Sequence, residues 1–243
     1  MLDHWYSCIR LPMSFEQFHQ LPRNSVYKYE YVAGHAVLSP QPKTHNGLLE
    51  LRRMDAPAIV QTGECIAVRA LEERDWDRLT QVFADAFRHV QPFSSLSQEL
   101  CVHAAKECLD QTRDGGDGPL IHEASFLACT ERRETIIGGI LITLIPARPE
   151  GEWWTGKWPE PPPANALQLG LGRPHLTWVF VGDLYAGQGI GTVLLGHAVN
   201  ALLKLGYREL ASTFLVGNDS STLWHWRNGF RLVPYAGTQR LQK

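Results

Sequence analysis

Glycine stands at every second position in Gly187-Gln188-Gly189-Ile190-Gly191, and the flanking residues give that spacing its meaning. Ahead of it, His175 to Val181 is a mostly apolar run of strand character. Behind it, Ile190, Val193, Leu194, His197, Ala198, Ala201, Leu202 and Leu205 recur at helical spacing. A strand-to-helix turn leaves the first N–H groups of the helix without partners and partly positive, and glycines let an anion come close to them. A phosphate or diphosphate suits such a cradle. Two familiar nucleotide loops do not fit. No lysine follows the glycines, as a P-loop requires, and the spacing is G-x-G-x-G rather than the dinucleotide G-x-G-x-x-G. A tight turn without a ligand stays open as the alternative.

The elements around the loop alternate between strand and helix. Residues 65–71 read as a strand, and Asp75 to Arg88 as a helix with Leu79, Val82, Phe83, Ala86 and Phe87 on one face. Ser95 and Gln98 have capping-box spacing and open a second helix, striped by Leu100, Cys101, Ala104, Ala105, Cys108 and Leu109. Strands follow near 123–130 and 135–145, joined by Arg132-Arg133. Residues 146–174 form a proline- and glycine-rich insertion with Trp153, Trp154 and Trp158, expected to fold over an apolar surface. After the long helix, Gly206 is a natural stop and 207–216 reads as a strand. Asn218-Asp219-Ser220 caps a short helix, Asn228-Gly229 ends it, and Phe230 to Pro234 is a last strand.

The glycine loop resembles motif A of the GNAT superfamily of acyl-CoA-dependent N-acyltransferases, Q/R-x-x-G-x-G/A. Gly187, Gln188, Gly189, Ile190 and Gly191 match, and Ala186 stands where the family has Arg or Gln. Downstream, Asn218 to Phe230 resembles the family's N-x-x-A-x-x-L-Y-x-x-x-G-F segment, through Asn218, Gly229 and Phe230. Ser221 stands at the small position and His225 at the tyrosine. The resemblance covers about residues 64–235. It implies an α/β fold, with a mixed central sheet that splays between its fourth and fifth strands and is flanked by helices. It implies that acetyl-CoA is the co-substrate, with no metal. Its diphosphate would rest on the N–H groups of Gly187 to Thr192, its pantetheine arm along Phe180, Val181 and Gly182, beside Asn218. In the family the tyrosine commonly protonates the departing thiolate. His225 is the candidate for that role, since imidazole keeps a protonated fraction near neutrality, against a packing role between Trp224 and Trp226. Asp183 is the candidate base, with His175, Glu123 and bulk water as further proton acceptors.

Residues 1–63 are expected to form a small separate element, and 64–243 the acyltransferase domain. Val26 to Pro40 alternates about Ala33-Gly34, the pattern of a β-hairpin, and 14–21 reads as a short helix. Residues about 12–50 also resemble the start of the Uma family of restriction-endonuclease-like proteins through Leu21-Pro22, Tyr29-Glu30-Tyr31, Gly34, Ser39-Pro40 and His45. The later positions of a nuclease core would fall where the acyltransferase begins, so nuclease activity is the least favoured reading.

Composition narrows the classes. With 243 residues, 44% hydrophobic and 20% charged, the chain is of ordinary globular type. A formal net charge of −2 offers no broad basic field for nucleic acid. Five cysteines without a C-x-x-C argue against a disulfide framework or zinc ribbon, and there is neither a signal-peptide pattern nor a membrane-length apolar run. The expectation is a cytoplasmic N-acetyltransferase acting on a primary amine of a small molecule or protein, with a homodimer left open. The rival is a non-catalytic acyl-CoA-binding sensor or scaffold.

Overall fold

The computed structural model describes residues 9–21, 27–40, 44–54, 66–90, 93–131, 134–147, 158, 160–163, 165–215 and 218–233. They form two sheets. The smaller is antiparallel, in the order β1-β3-β2, from β1 (Ile9–Pro12), β2 (Tyr27–Val32) and β3 (His35–Pro40). The expected hairpin is present. Ala33 and Gly34, at φ 49° and 78°, make a two-residue turn of the left-handed kind that matches strand twist. Helix α1 (Phe15–Gln20) lies between β1 and β2. It starts at a reciprocal cap, in which Gln17 N–H donates to Ser14 Oγ (3.2 Å) and Ser14 N–H to Gln17 Oε1 (2.8 Å).

The larger sheet is the mixed one expected from the sequence. It holds β4 (Thr44–Glu50), β5 (Ile66–Ala70), β6 (Phe126–Thr130), β7 (Ile136–Ile145), β8 (Arg173–Val181), β9 (Glu209–Leu215) and β10 (Arg231–Val233), in the order β10-β4-β9-β8-β7-β6-β5. Neighbours run antiparallel except β8 and β9, which are parallel. The sequence did not reveal β4. It comes from residues 1–63, and it pairs within the larger sheet. β4 pairs with β9 from Thr44↔Leu215 to Glu50↔Glu209, and with β10 on its other side. Gly47 belongs where it is because a Cβ there would lie 3.3 Å from the rings of both Phe214 and Phe230. The chain leaves β4 held to the far half of the molecule. Asn200 Nδ2 donates to Met54 O (2.7 Å), and Met54 N–H donates to Asn200 Oδ1 (3.1 Å).

Helices α2 (Trp76–Phe87), α3 (Gln98–Arg113), α4 (Ile190–Lys204) and α5 (Asp219–Arg227) flank this sheet. Ser97, not Ser95, caps α3, its Oγ accepting from Leu100 N–H (3.4 Å), because residues 93–95 are already wound into a 3-10 turn. The mostly apolar run of β7 is buried along its whole length, as a strand covered on both faces must be. On one face Leu194, Leu195, Ala198 and Leu202 of α4 join a core with Ile140, Ile142 and Leu144. On the other, Leu79 and Phe83 of α2 and Leu109 of α3 join one with Leu127, Leu141 and Phe180. Each such Leu or Phe contributes about 1.5–3 kcal/mol through burial. Among the described residues no helix is long and apolar enough to cross a membrane.

A buried ion pair anchors the start of α2 to β5. Arg69 donates to both carboxylate oxygens of Asp75 (2.6 and 2.7 Å), whose side chain is fully buried, and Glu72 N–H adds a third bond (3.0 Å). The Arg69 bonds hold the Asp75 carboxyl below its ordinary range. A depressed folded value means stabilisation that is present above the ordinary carboxylate pKa and lost as pH falls. We expect Asp75→Asn to cost about 2–4 kcal/mol at pH 7, because Arg69 loses its counter-charge. Urea unfolding at pH 7 and pH 3 measures this; the gap between wild type and variant should narrow at the lower pH.

Candidate functional site

β8 and β9 run together for only two residue pairs, His175↔Ala211 and Leu176↔Ser212, and then part. On its other side β8 stays paired with β7 as far as Val181↔Gly138. A bulge coincides with the parting. Leu141 faces Trp178 and Ile142 faces Leu176, so Thr177 is the extra residue. Past Leu176, the β8 edge toward β9 has no strand partner among the described residues. Phe180 is locked from below: an added Cβ would lie 2.7 Å from its carbonyl oxygen at Gly138, and 2.9 Å from its ring at Gly139. No motif marks these two glycines or Thr177, and their roles emerge only from register.

The glycine loop closes the C-terminal end of this parting. Residues 183–185 form a 3-10 turn, Gly187 and Gly189 take left-handed φ of 77° and 84°, and α4 begins at Ile190. Thr192 and Val193 N–H both donate to Gly189 O (3.0 and 3.1 Å), so the amide of Thr192 is already engaged. Among the described residues no hydrogen bond is formed by the N–H groups of Gly187, Gln188, Gly189, Ile190 and Gly191. A Cβ added at Gly187 or Gly189 would meet nothing within 4 Å, so the loop faces open space. Gln188 turns inward, its Nε2 donating to Leu184 O (3.2 Å). Gly191 is small for a different reason: its Cβ would lie 3.1 Å from Nε1 of Trp224 on α5. Ala186 is exposed. The arrangement offers an anion a ring of amide donors and the positive end of a 15-residue helix.

Asn218 caps α5, its Oδ1 accepting from Ser221 N–H (3.1 Å). That fixes His225 beneath β9. The imidazole is stacked on Phe214, centroids 4.0 Å apart, with Phe230 edge-on at 4.9 Å. Nδ1 lies 2.7 Å from Ser221 O, which can only accept, so Nδ1 carries the proton and Nε2 accepts from Ser212 Oγ–H (2.8 Å). Burial lowers its pKa to about 4. His225 is therefore neutral at pH 7 with both nitrogens satisfied, and the expected thiolate-protonating role does not fit this geometry. Asp183 is also engaged, bonded by Arg88 Nη2 (2.8 Å) with His89 Nε2 at 3.5 Å. Glu123 is exposed in a 3-10 turn rather than on a strand, and His175 is buried with its pKa lowered to about 4. In the insertion, Trp158 packs against the α4-side core and donates to Leu144 O (2.8 Å), as a loop folded on an apolar surface would. Trp153, Trp154 and Arg132-Arg133 lie outside the described residues.

The model of the acetyltransferase (GNAT) family matches residues 76–230. Among solved structures, a GCN5-related N-acetyltransferase from Sphaerobacter thermophilus is similar at a TM-score of 0.53 and 14% identity, over 94% of this chain and 57% of that one. This chain thus spans a little over half the length of that protein. PaiA N-acetyltransferase from Thermoplasma acidophilum, solved with coenzyme A, is similar at 0.50 and 18%, over 70% of this chain and 92% of that one. At these identities the likeness is one of fold. No curated protein matches the chain.

The neutral His225 has a measurable consequence. Its folded pKa lies below the ordinary value of about 6.5, so unfolding takes up a proton as pH falls below that value. Stability should decline from pH 6.5 toward 4, and His225→Phe should flatten part of that slope in urea unfolding. A slope unchanged by the substitution would mean that the imidazole is charged in the folded protein.

Proposed function

Because the chain belongs to the GNAT acetyltransferase family, we propose that it transfers the acetyl group of acetyl-CoA to a primary amine of a small molecule or protein. The observation that carries this reading is the joining of two features at one end of β8. Five N–H groups, Gly187 to Gly191, form no hydrogen bond among the described residues, the loop is open at Gly187 and Gly189, and an unpaired strand edge runs back from it to Thr177. The donor's diphosphate accepts from those amides. Its amide-bearing arm extends along Phe180, Val181 and Gly182 in place of a strand, which directs the thioester toward the bulge at Thr177. Thr192 supports the seat through its helix turn rather than its N–H, and Asn218 holds α5 beside it.

The chemistry then rests on placement. The neutral amine nitrogen attacks the thioester carbonyl carbon, the C–S bond breaks, and the sulfur departs as thiolate. The ordinary thiol pKa of about 8.5 makes that departure feasible without a protein acid, which suits a chain whose His225 is sealed and neutral. The proton released from the amine passes to solvent. The second reading, an acyl-CoA-binding module without turnover, is favoured by that same sealed histidine and by Ala186, and one experiment separates the two.

Free-thiol release from acetyl-CoA across an amine panel should be acceptor-dependent, and kcat/KM should rise with pH along the acceptor's own deprotonation. Coenzyme A binding without release across the panel would favour the module. Gly189→Val, which puts a branched side chain on a left-handed residue facing the seat, should weaken coenzyme A binding more than tenfold by calorimetry. Unchanged affinity in a variant that still melts cooperatively would remove the loop from the donor site.

A further inference from the structure

A chain of polar side chains crosses three strands at the point where β8 and β9 separate. Thr213 of β9 lies 3.2 Å from His175 Nε2, His175 Nδ1 lies 3.1 Å from Thr177 Oγ1, and Thr177 Oγ1 lies 2.8 Å from Thr143 Oγ1 of β7. Thr143 Oγ1 donates to the carbonyl of Asp117 (3.0 Å). That carbonyl can only accept, which orders the protons in one direction. Thr213 O–H donates to His175 Nε2, His175 Nδ1–H to Thr177, Thr177 O–H to Thr143, and Thr143 O–H to Asp117. One neutral tautomer of His175 satisfies the whole chain, and burial keeps it neutral.

The position of the chain is what gives it a function. His175 sits in the first of the two β8–β9 pairs, and Leu176↔Ser212 is the second. The residues that its ring joins, Thr177 and Thr213, are the first on each strand past the last pair. Without a crosslink, a parallel pair that has begun could continue zipping or peel further. The imidazole holds the two strands at a fixed separation and pins the bulged Thr177. A buried polar network of this kind costs free energy unless every member is satisfied, and here it replaces apolar side chains in a strand otherwise rich in them.

Resting on the donor-site reading above, we propose that His175 is a positioning residue, a clasp that fixes where the cleft ends and thereby where the donor's acyl group stops. From Thr177 to Val181 the open edge runs roughly 13 Å at about 3.3 Å per residue. The diphosphate seat lies at its far end, beyond the clasp's reach. The clasp therefore governs the arm and leaves the nucleotide half alone.

That division supplies the test. Binding of acetyl-CoA and of 3′-phospho-ADP, which lacks the arm, is measured by calorimetry for wild type, His175→Phe, His175→Gln and Thr213→Val. Removing the clasp with His175→Phe or Thr213→Val should weaken acetyl-CoA at least about tenfold and leave 3′-phospho-ADP within twofold. His175→Gln, which keeps a donor and an acceptor, should restore most of the loss. Thr213→Val guards against misfolding, since it removes one hydroxyl at nearly constant shape. Equal loss for both ligands, or no loss for acetyl-CoA in folded variants, overturns the clasp while leaving the donor site standing. A wild type that binds neither ligand overturns the donor site and the clasp with it.

Discussion

Backbone hydrogen bonding at β8 is the constraint on which the rest of the structure depends. A strand in the middle of a sheet needs partners on both edges, because buried N–H and C=O groups left unpaired cost free energy. β8 has β7 along its length on one edge, and β9 for only two residue pairs on the other. Everything nearby maintains that asymmetry. Gly138 and Gly139 let β7 approach closely at Phe180, and Phe83 packs edge-on against both Trp178 and Phe180, at 4.9 and 5.2 Å. The edge is thus held open by a rigid frame, and the loop 187–191 lies at its mouth.

The far half of the sheet has its own requirement. Once β9 turns away from β8, it needs a partner on its other side, and β4 from the N-terminal segment supplies one. The strand pairs with β9 over its full length and with β10 beyond, covering Phe214 and Phe230 at Gly47. Those two rings also enclose His225. Strand β4 is therefore tied to α5 through Phe214 and Phe230.

Local chemistry was the legible part of this protein. The glycine loop, the stripe of α4, the Asn218 cap, the stop at Gly206 and the hairpin at Ala33-Gly34 each depend on a few adjacent residues, and each was readable from them. What escaped depends on distant partners. Thr44-His45-Asn46-Gly47 has no alternating apolar pattern, because β4 is recruited by β9 and β10 rather than by its own propensity. The bulge at Thr177 exists only relative to β7. His225 matched a motif position, and its burial under Phe214 with Ser212 and Ser221 as partners could not be read from spacing. By sequence His175 is a candidate proton acceptor at the start of a strand, and its bond to Thr213, 38 positions away, is not legible from spacing.

His225 and Asp183 are both engaged within the protein, His225 by Ser212 and Ser221 and Asp183 by Arg88. In the proposed donor site the amides of Gly187 to Gly191 receive the donor's diphosphate. Amide hydrogen exchange of those five groups, followed by NMR with and without saturating coenzyme A, tests it most directly. Unengaged amides exchange fast, so the account requires rapid exchange in the free protein and strong, local protection on binding. Coenzyme A that binds while these amides remain as exchangeable as before would contradict it.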